Sequence, residues 1–169
     1  GGVGKTTLAT SVYMEISRHF QGQCIVESVR EKTSKYGLNK LQEDILSSLL
    51  KKEVKVHSVV EGKHMMKSML SRRKVLVVLD DVDKLDQLEA LVGKHNWFGS
   101  GSRIIITTRD VHVLRAHKIN HTYHVMLLSD DEAIQLFKRY AYNEEEPVED
   151  YEIHSLRVVS YAGGLPLAL

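Results

Sequence analysis

The stretch Gly1-Gly2-Val3-Gly4-Lys5-Thr6-Thr7 constrains this chain more than any other. Its glycines permit backbone angles that a β-carbon hinders, so successive amides can turn inward and cradle an anion. Leu8, Val12 and Ile16 follow at helical spacing and predict an amphipathic helix starting near Lys5. The positive dipole end of that helix adds to the same pull. Gly1, Gly2, Val3, Gly4, Lys5, Thr6 and Thr7 therefore form a candidate nucleotide-binding set. Within it Lys5 reaches the β- and γ-phosphates and the Thr6 hydroxyl ligates Mg²⁺. A glycine turn that merely opens a helix is the plainer alternative, and the loop alone does not decide. A loop of this kind is fed by a β-strand, so a strand and one more glycine are expected before residue 1.

A second motif bears on that choice. Val75-Leu-Val-Val-Leu79 is a short apolar run that suits a strand buried on both faces, and Asp80-Asp81 follows it directly. In open parallel sheets ligands gather at the carboxyl ends of strands. Two adjacent carboxylates there are costly unless something wants negative charge. A phosphate-bound Mg²⁺ answers that need, with Asp80 in the metal shell and Asp81 orienting or deprotonating an attacking water. Asp81 and Lys5 are then the candidate catalytic residues. The alternative is that Asp81, or Asp83, only caps a helix predicted over Leu85 to Leu91.

A third run, Ile104-Ile-Ile106, is bracketed by Arg103 and Arg109. Six residue steps along a strand place the two arginine backbones roughly 20 Å apart. Only the arginine at the carboxyl end can lie near a nucleotide. Arg109 is the candidate for sensing a γ-phosphate, its planar fork suiting phosphate oxygens, and Arg103 goes to the opposite edge. A surface ion pair with Asp110 or another acid is the competing role for Arg109.

Cys24-Ile-Val26 and Thr122 to Leu127 are weaker strand candidates. Helical spacing joins Leu38, Leu41, Ile45 and Leu49, and again Ala133, Leu136, Phe137, Tyr140 and Ala141 behind a Ser129/Glu132 capping box. Strands alternating with helices predict a doubly wound α/β sheet of the P-loop NTPase type, its first strand missing. From Ser129 the pattern is helical only. It is interrupted by the acidic turn Glu144-Glu-Glu-Pro147 and resumes from about Asp150 to Ala162. The expected organisation is an α/β domain over 1–128 and a small helical subdomain over 129–169. Gly163-Gly164 closes that last helix, and Pro166 suits the first turn of the next.

Composition excludes several classes. A net charge of +1 gives no general attraction to nucleic acid or membrane, and one cysteine, Cys24, permits no internal disulfide. No apolar run approaches the ~18 residues of a membrane span. His112, His117, His121 and His124 suggest a zinc site, but their segment passes from helix through a turn at Asn120, so polar connecting surface is the simpler reading. The basic stretch Lys63 to Lys74 reads as a helix with Met65, Met69 and Leu70 on its apolar face, rather than as a nucleic-acid contact.

"GGVGKTT", "KVLVVLDDVD", "GSRIIITTRD" and "GLPLAL" occur in this order from end to end of the chain. Together they resemble the NB-ARC region of plant disease-resistance proteins that also carry leucine-rich repeats. Asp83, and the segment Ser28 to Leu50, resemble the subclass with a Toll/interleukin-receptor domain. The resemblance implies an intracellular switch, cytoplasmic or nuclear. ADP would hold it closed, ATP would open it for self-association and defence signalling, and slow hydrolysis would reset it. It also implies that Pro166 packs near the adenine and that the helices after Ser129 are the first half of the ARC region. Intramolecular partners would be a Toll/interleukin-receptor domain, the second ARC half and the repeats. Partitioning ATPases of the ParA/MinD type share the opening loop, but they normally carry Asp-x-Pro where this chain has Asp80-Asp81-Val82. An ADP-binding structural module without turnover is the third reading.

Overall fold

The computed structural model describes residues 1–93, 95–119, 121–141 and 149–169. By internal contacts the chain divides into two compact units, Thr6–Thr122 and Gly1–Lys5 with Tyr123–Leu169. The division runs through the first turn of α1 (Lys5–Ile16).

In the larger unit α1 is followed by β1 (Gly22–Val26), α2 (Val29–Tyr36), α3 (Leu38–Leu50), α4 (Val59–Leu70), β2 (Val75–Val82), α5 (Leu85–Leu91), β3 (Arg103–Thr108) and α6 (Val111–Ala116). The strands form one parallel sheet in the order β1-β2-β3. Val75 pairs with Gly22 on one side, and Leu79 pairs with Val26 on that side and Ile106 on the other. Parallel neighbours need long crossovers, which α2 to α4 and then α5 supply. Val75 to Leu79 are wholly buried, as an unbroken β-branched run at the centre of such a sheet predicts.

Near its end β2 slips out of register. Leu79 pairs with Ile106 but Val82 pairs with Thr108, so β2 carries one extra residue there. The bulge falls on Asp80-Asp81, and beyond it Val82 returns to the same core cluster as Val75, Val77 and Leu79.

Leu41, Ile45, Leu46 and Leu49 of α3 fill that core with Met66 and Leu70 of α4 and Leu88 and Leu91 of α5. A polar side chain of α3 joins them. Gln42 is buried, and its Nε2 donates to the Val59 carbonyl at 3.2 Å and the Ala90 carbonyl at 2.9 Å, tying α3 to the segments on either side. Burial pushes the Cys24 thiol up to about 12, in keeping with an apolar filler in β1.

α3 comes close to β1 at Gly22, where an added β-carbon would lie 2.6 Å from the Leu49 carbonyl oxygen. Backbone cannot yield there as a flexible side chain would. Gly22→Ala is expected to destabilise the protein by about 1–3 kcal/mol. A chemical unfolding midpoint unchanged by the substitution would contradict this packing.

Several sequence expectations are corrected. Ile104 to Ile106 are half-buried rather than buried on both faces, because β3 is bonded only to β2 among the described residues. Leu8 and Val12 of α1 are exposed, and Ala9 alone is buried in that helix. The buried stripe of α4 is Gly62, Met66 and Leu70, with Met69 exposed. Thr122 to Leu127 form no strand and are mostly exposed.

The smaller unit holds α7 (Asp130–Ala141) and α8 (Glu149–Ala162), which pack together. Glu132 accepts from the Ser129 amide at 2.9 Å and hydroxyl at 3.0 Å, and Ser129 Oγ accepts from the Glu132 amide at 3.3 Å. This is the predicted capping box, and its hydrogen bonds hold the Glu132 carboxyl below its usual range. Gly163 and Gly164 end α8 with positive φ of 57° and 73°. The Gly164 carbonyl accepts from the Leu128 amide at 2.8 Å. Pro166 opens a single 3₁₀ turn, Pro166–Ala168. The acidic turn Glu144 to Pro147 and the turn at Asn120 lie outside the described residues.

Candidate functional site

Three segments far apart in sequence meet at the carboxyl ends of β2 and β3. Asp80 is 6% exposed, and its Oδ1 accepts from the Thr6 hydroxyl at 2.7 Å and the Thr107 hydroxyl at 2.6 Å. Thr107 in turn accepts from the Asp81 amide at 2.9 Å. The Thr6 hydroxyl in the first turn of α1, the tip of β2 and the tip of β3 are thus joined by one relay. Burying a carboxylate is costly without such donors. Both hydroxyls use the same oxygen, and no hydrogen bond reaches Asp80 Oδ2 among the described residues. A carboxylate oxygen beside a threonine hydroxyl is the hard oxygen set that a divalent cation takes, so Thr6 and Asp80 fit Mg²⁺.

Asp81 lies in the bulge with a positive φ of 55°, a conformation that Asp tolerates better than most residues. Its carboxylate is held from two sides. Arg109 Nε donates to Oδ1 at 3.1 Å, and Arg30 Nη2 lies 3.1 Å from Oδ2. Both arginine side chains are about half exposed, at 48% for Arg30 and 57% for Arg109. Ion pairs in that setting contribute at most about 1 kcal/mol, so either can be given up cheaply.

Capping of α5 by Asp81 or Asp83 is not what the structure shows. The N-cap is Lys84. Gln87 Oε1 accepts from the amides of Asp83 at 3.0 Å and Lys84 at 3.2 Å, and Asp83 Oδ1 accepts from Gln87 Nε2 at 2.8 Å. Asp81 is thereby left to the arginines. Arg103 stands exposed at the start of β3, its guanidinium on the Ser102 carbonyl at 3.1 Å.

In the smaller unit, Gly2 and Gly4 carry positive φ of 84° and 90°. A β-carbon at Gly4 would meet nothing within 4 Å, whereas one at Gly2 would lie 2.8 Å from Leu167 Cβ. The Gly2 carbonyl accepts from the Leu167 amide at 3.2 Å. The glycine loop and the turn opened by Pro166 are therefore in direct contact, although they are separated by almost the whole chain. Lys5 begins α1, and Gly1 and Thr7 are exposed.

Two residues of the larger site went unread in the sequence. Thr107 could have been found, since it lies opposite Asp80 in any register that pairs Leu79 with Ile106. Arg30 carries no such signal.

The loop conformation, the buried acid at the strand tip and the arginine beyond the next strand agree with a comparison against known families. The profile of the NB-ARC domain matches residues 1–147. This chain belongs to the NB-ARC family. NB-ARC domains are nucleotide-binding modules, and the chain is similar throughout its length to proteins named for disease resistance. It is 47% identical over all of its length to the TMV resistance protein N of Nicotiana glutinosa, covering 15% of that protein. It is 46% identical, again over all of its length, to disease resistance protein RUN1 of Vitis rotundifolia, covering 13%. Identity to disease resistance protein RPS6 of Arabidopsis thaliana is 37%, over 99% of this chain and 16% of that protein. The chain thus spans about one seventh of the length of these relatives. No helix among the described residues of the NB-ARC chain is long and apolar enough to cross a membrane.

Proposed function

We propose that this NB-ARC chain is the ADP/ATP switch of a plant immune receptor of the Toll/interleukin-receptor subclass, at rest with ADP and active with ATP. The relay Thr6–Asp80–Thr107 carries the reading, because it joins three family motifs around a buried carboxylate that fits a cation. The amides of Gly1 to Thr7 and the Lys5 ammonium bind the phosphates. Thr6 and Asp80 hold Mg²⁺, which when bound neutralises charge on the β- and γ-phosphates. Pro166 packs near the base. Arg109 distinguishes ATP from ADP, since only ATP offers it a γ-phosphate. A ligand shifts a two-state protein only through such a difference.

Hydrolysis resets the switch. Asp81 orients a water and takes its proton as the water oxygen bonds to the γ-phosphorus and the bond to the bridging oxygen breaks. Asp81→Asn is expected to cut single-turnover phosphate release at saturating ATP by about a hundredfold or more, the low end of general-base effects. An unchanged rate would remove Asp81 from the catalytic role, and a parent protein that releases no phosphate would favour the second reading, in which ADP is a structural ligand without turnover.

A further inference from the structure

Arg30, the second residue of α2, lies fifty-one positions before Asp81 and in none of the phosphate-binding motifs, yet it meets the Asp81 carboxylate at 3.1 Å. Arg109 takes the other oxygen of the same carboxylate at 3.1 Å. The two cations therefore share one anion, each weakening the hold of the other. We propose that Arg30 is a positioning residue that sets the preference of the site between nucleoside triphosphate and diphosphate, by drawing Asp81 away from Arg109.

The Asp81 carboxylate on Arg109 Nε compensates part of the Arg109 charge, so a γ-phosphate competes with that carboxylate for the guanidinium and a diphosphate need not. Asp81 acts as an internal rival of the γ-phosphate. Arg30 moderates the rivalry in two ways. It shares the negative charge of Asp81, and it repels Arg109 across the carboxylate. When Arg109 leaves for phosphate, Arg30 still holds Oδ2, so Asp81 is not stranded as an unpaired charge in the bulge. Without Arg30 the whole carboxylate falls to Arg109, and the triphosphate has more to displace. Both pairs are solvent-exposed enough to exchange readily, as a setting of preference requires.

The inference rests on the reading of Arg109 as the γ-phosphate contact, and the experiment separates the two. Affinities for ADP and for a β,γ-imido triphosphate analogue are measured with Mg²⁺ in the full-length protein. The ratio is the readout, because the loss of one positive charge weakens both ligands together. Arg30→Gln is expected to shift the ratio toward ADP by about two- to fivefold, the range of an exposed ion pair. Arg30→Lys, which keeps the charge, is expected to stay nearer the parent. Asp81→Asn is expected to shift the ratio the opposite way, toward the triphosphate. In the Asp81→Asn background Arg30→Gln is expected to have no further effect, since the shared anion is gone. An equal Arg30→Gln shift in both backgrounds, or none in the parent, overturns the proposal. If Arg109→Ala leaves the ratio unchanged, the reading of Arg109 fails first. If Arg109→Ala moves it and Arg30→Gln does not, only the role of Arg30 is lost.

Discussion

A Lys5→Ala protein is expected to lose nucleotide binding by at least about a hundredfold, with ADP and ATP affected together. The loop amides and the helix dipole supply partial charges, and Lys5 is the one charged side chain among Gly1 to Thr7. A hydrogen bond to a charged group contributes about 1.5–3 kcal/mol, and an ammonium bridging two phosphates makes more than one. At about 1.4 kcal/mol per tenfold, the loss reaches a hundredfold on the lower figure. Lys5 is partly exposed at the start of α1, so its truncation leaves no buried cavity and the fold is expected to survive. Isothermal titration with ADP checks the affinity. ADP still co-purifying at full occupancy with the variant would remove Lys5 from the site.

The second large effect is expected at Asp80, and the choice of substitution matters. Asparagine keeps an oxygen that can accept from Thr6 and Thr107, so Asp80→Asn preserves the relay while discarding the charge. The prediction is a split outcome. Thermal unfolding without ligand is expected to stay within a few degrees of the parent, because the hydrogen bonds remain. The gain in nucleotide affinity on adding Mg²⁺ is expected to fall at least about tenfold, because a neutral amide is a poor partner for a hard divalent ion. Titrating nucleotide with and without Mg²⁺ reads this directly. An undiminished Mg²⁺ dependence would show that Asp80 only organises the strand tips. Asp80→Ala removes architecture and charge together and could not tell the two roles apart.

The readable parts of this molecule are those whose chemistry is local. Val75 to Leu79 announced a central strand because nothing but double-sided burial accommodates five consecutive large aliphatics next to two acids. Ser129 and Glu132 announced a helix start because a capping box is complete within four residues. What escaped depends on neighbours. Ile104 to Ile106 resemble a central strand in composition, and their half-burial follows only from β3 having a single bonded partner in the sheet. In α4 the buried stripe runs through Gly62, which contributes no hydrophobicity and so left Met65 and Met69 to attract the assignment. Gly62 is there because the Gln42 amide fills the space beside it: an added β-carbon would collide with Gln42 Oε1. Arg30 is the extreme case. Its role depends on α2 bringing it over the tip of β2, and a surface arginine in a charged helix looks the same whether or not an aspartate waits opposite.

The bulge in β2 makes two adjacent acids unequal in what can replace them. Alternation along the strand puts Val75, Val77 and Leu79 on one face, and the extra residue lets Val82, rather than residue 81, resume that face. A deletion at 80 or 81 would therefore remove the bulge and leave Val82 on that face, at the cost of one acid at the strand tip. Asp80 stands in an ordinary extended backbone, where any side chain of similar size fits sterically. Asp81, at a φ of 55°, admits Asn or Gly easily and a β-branched residue only with strain. A saturation library across the pair should show tolerance limited by charge at the first position and by backbone shape at the second.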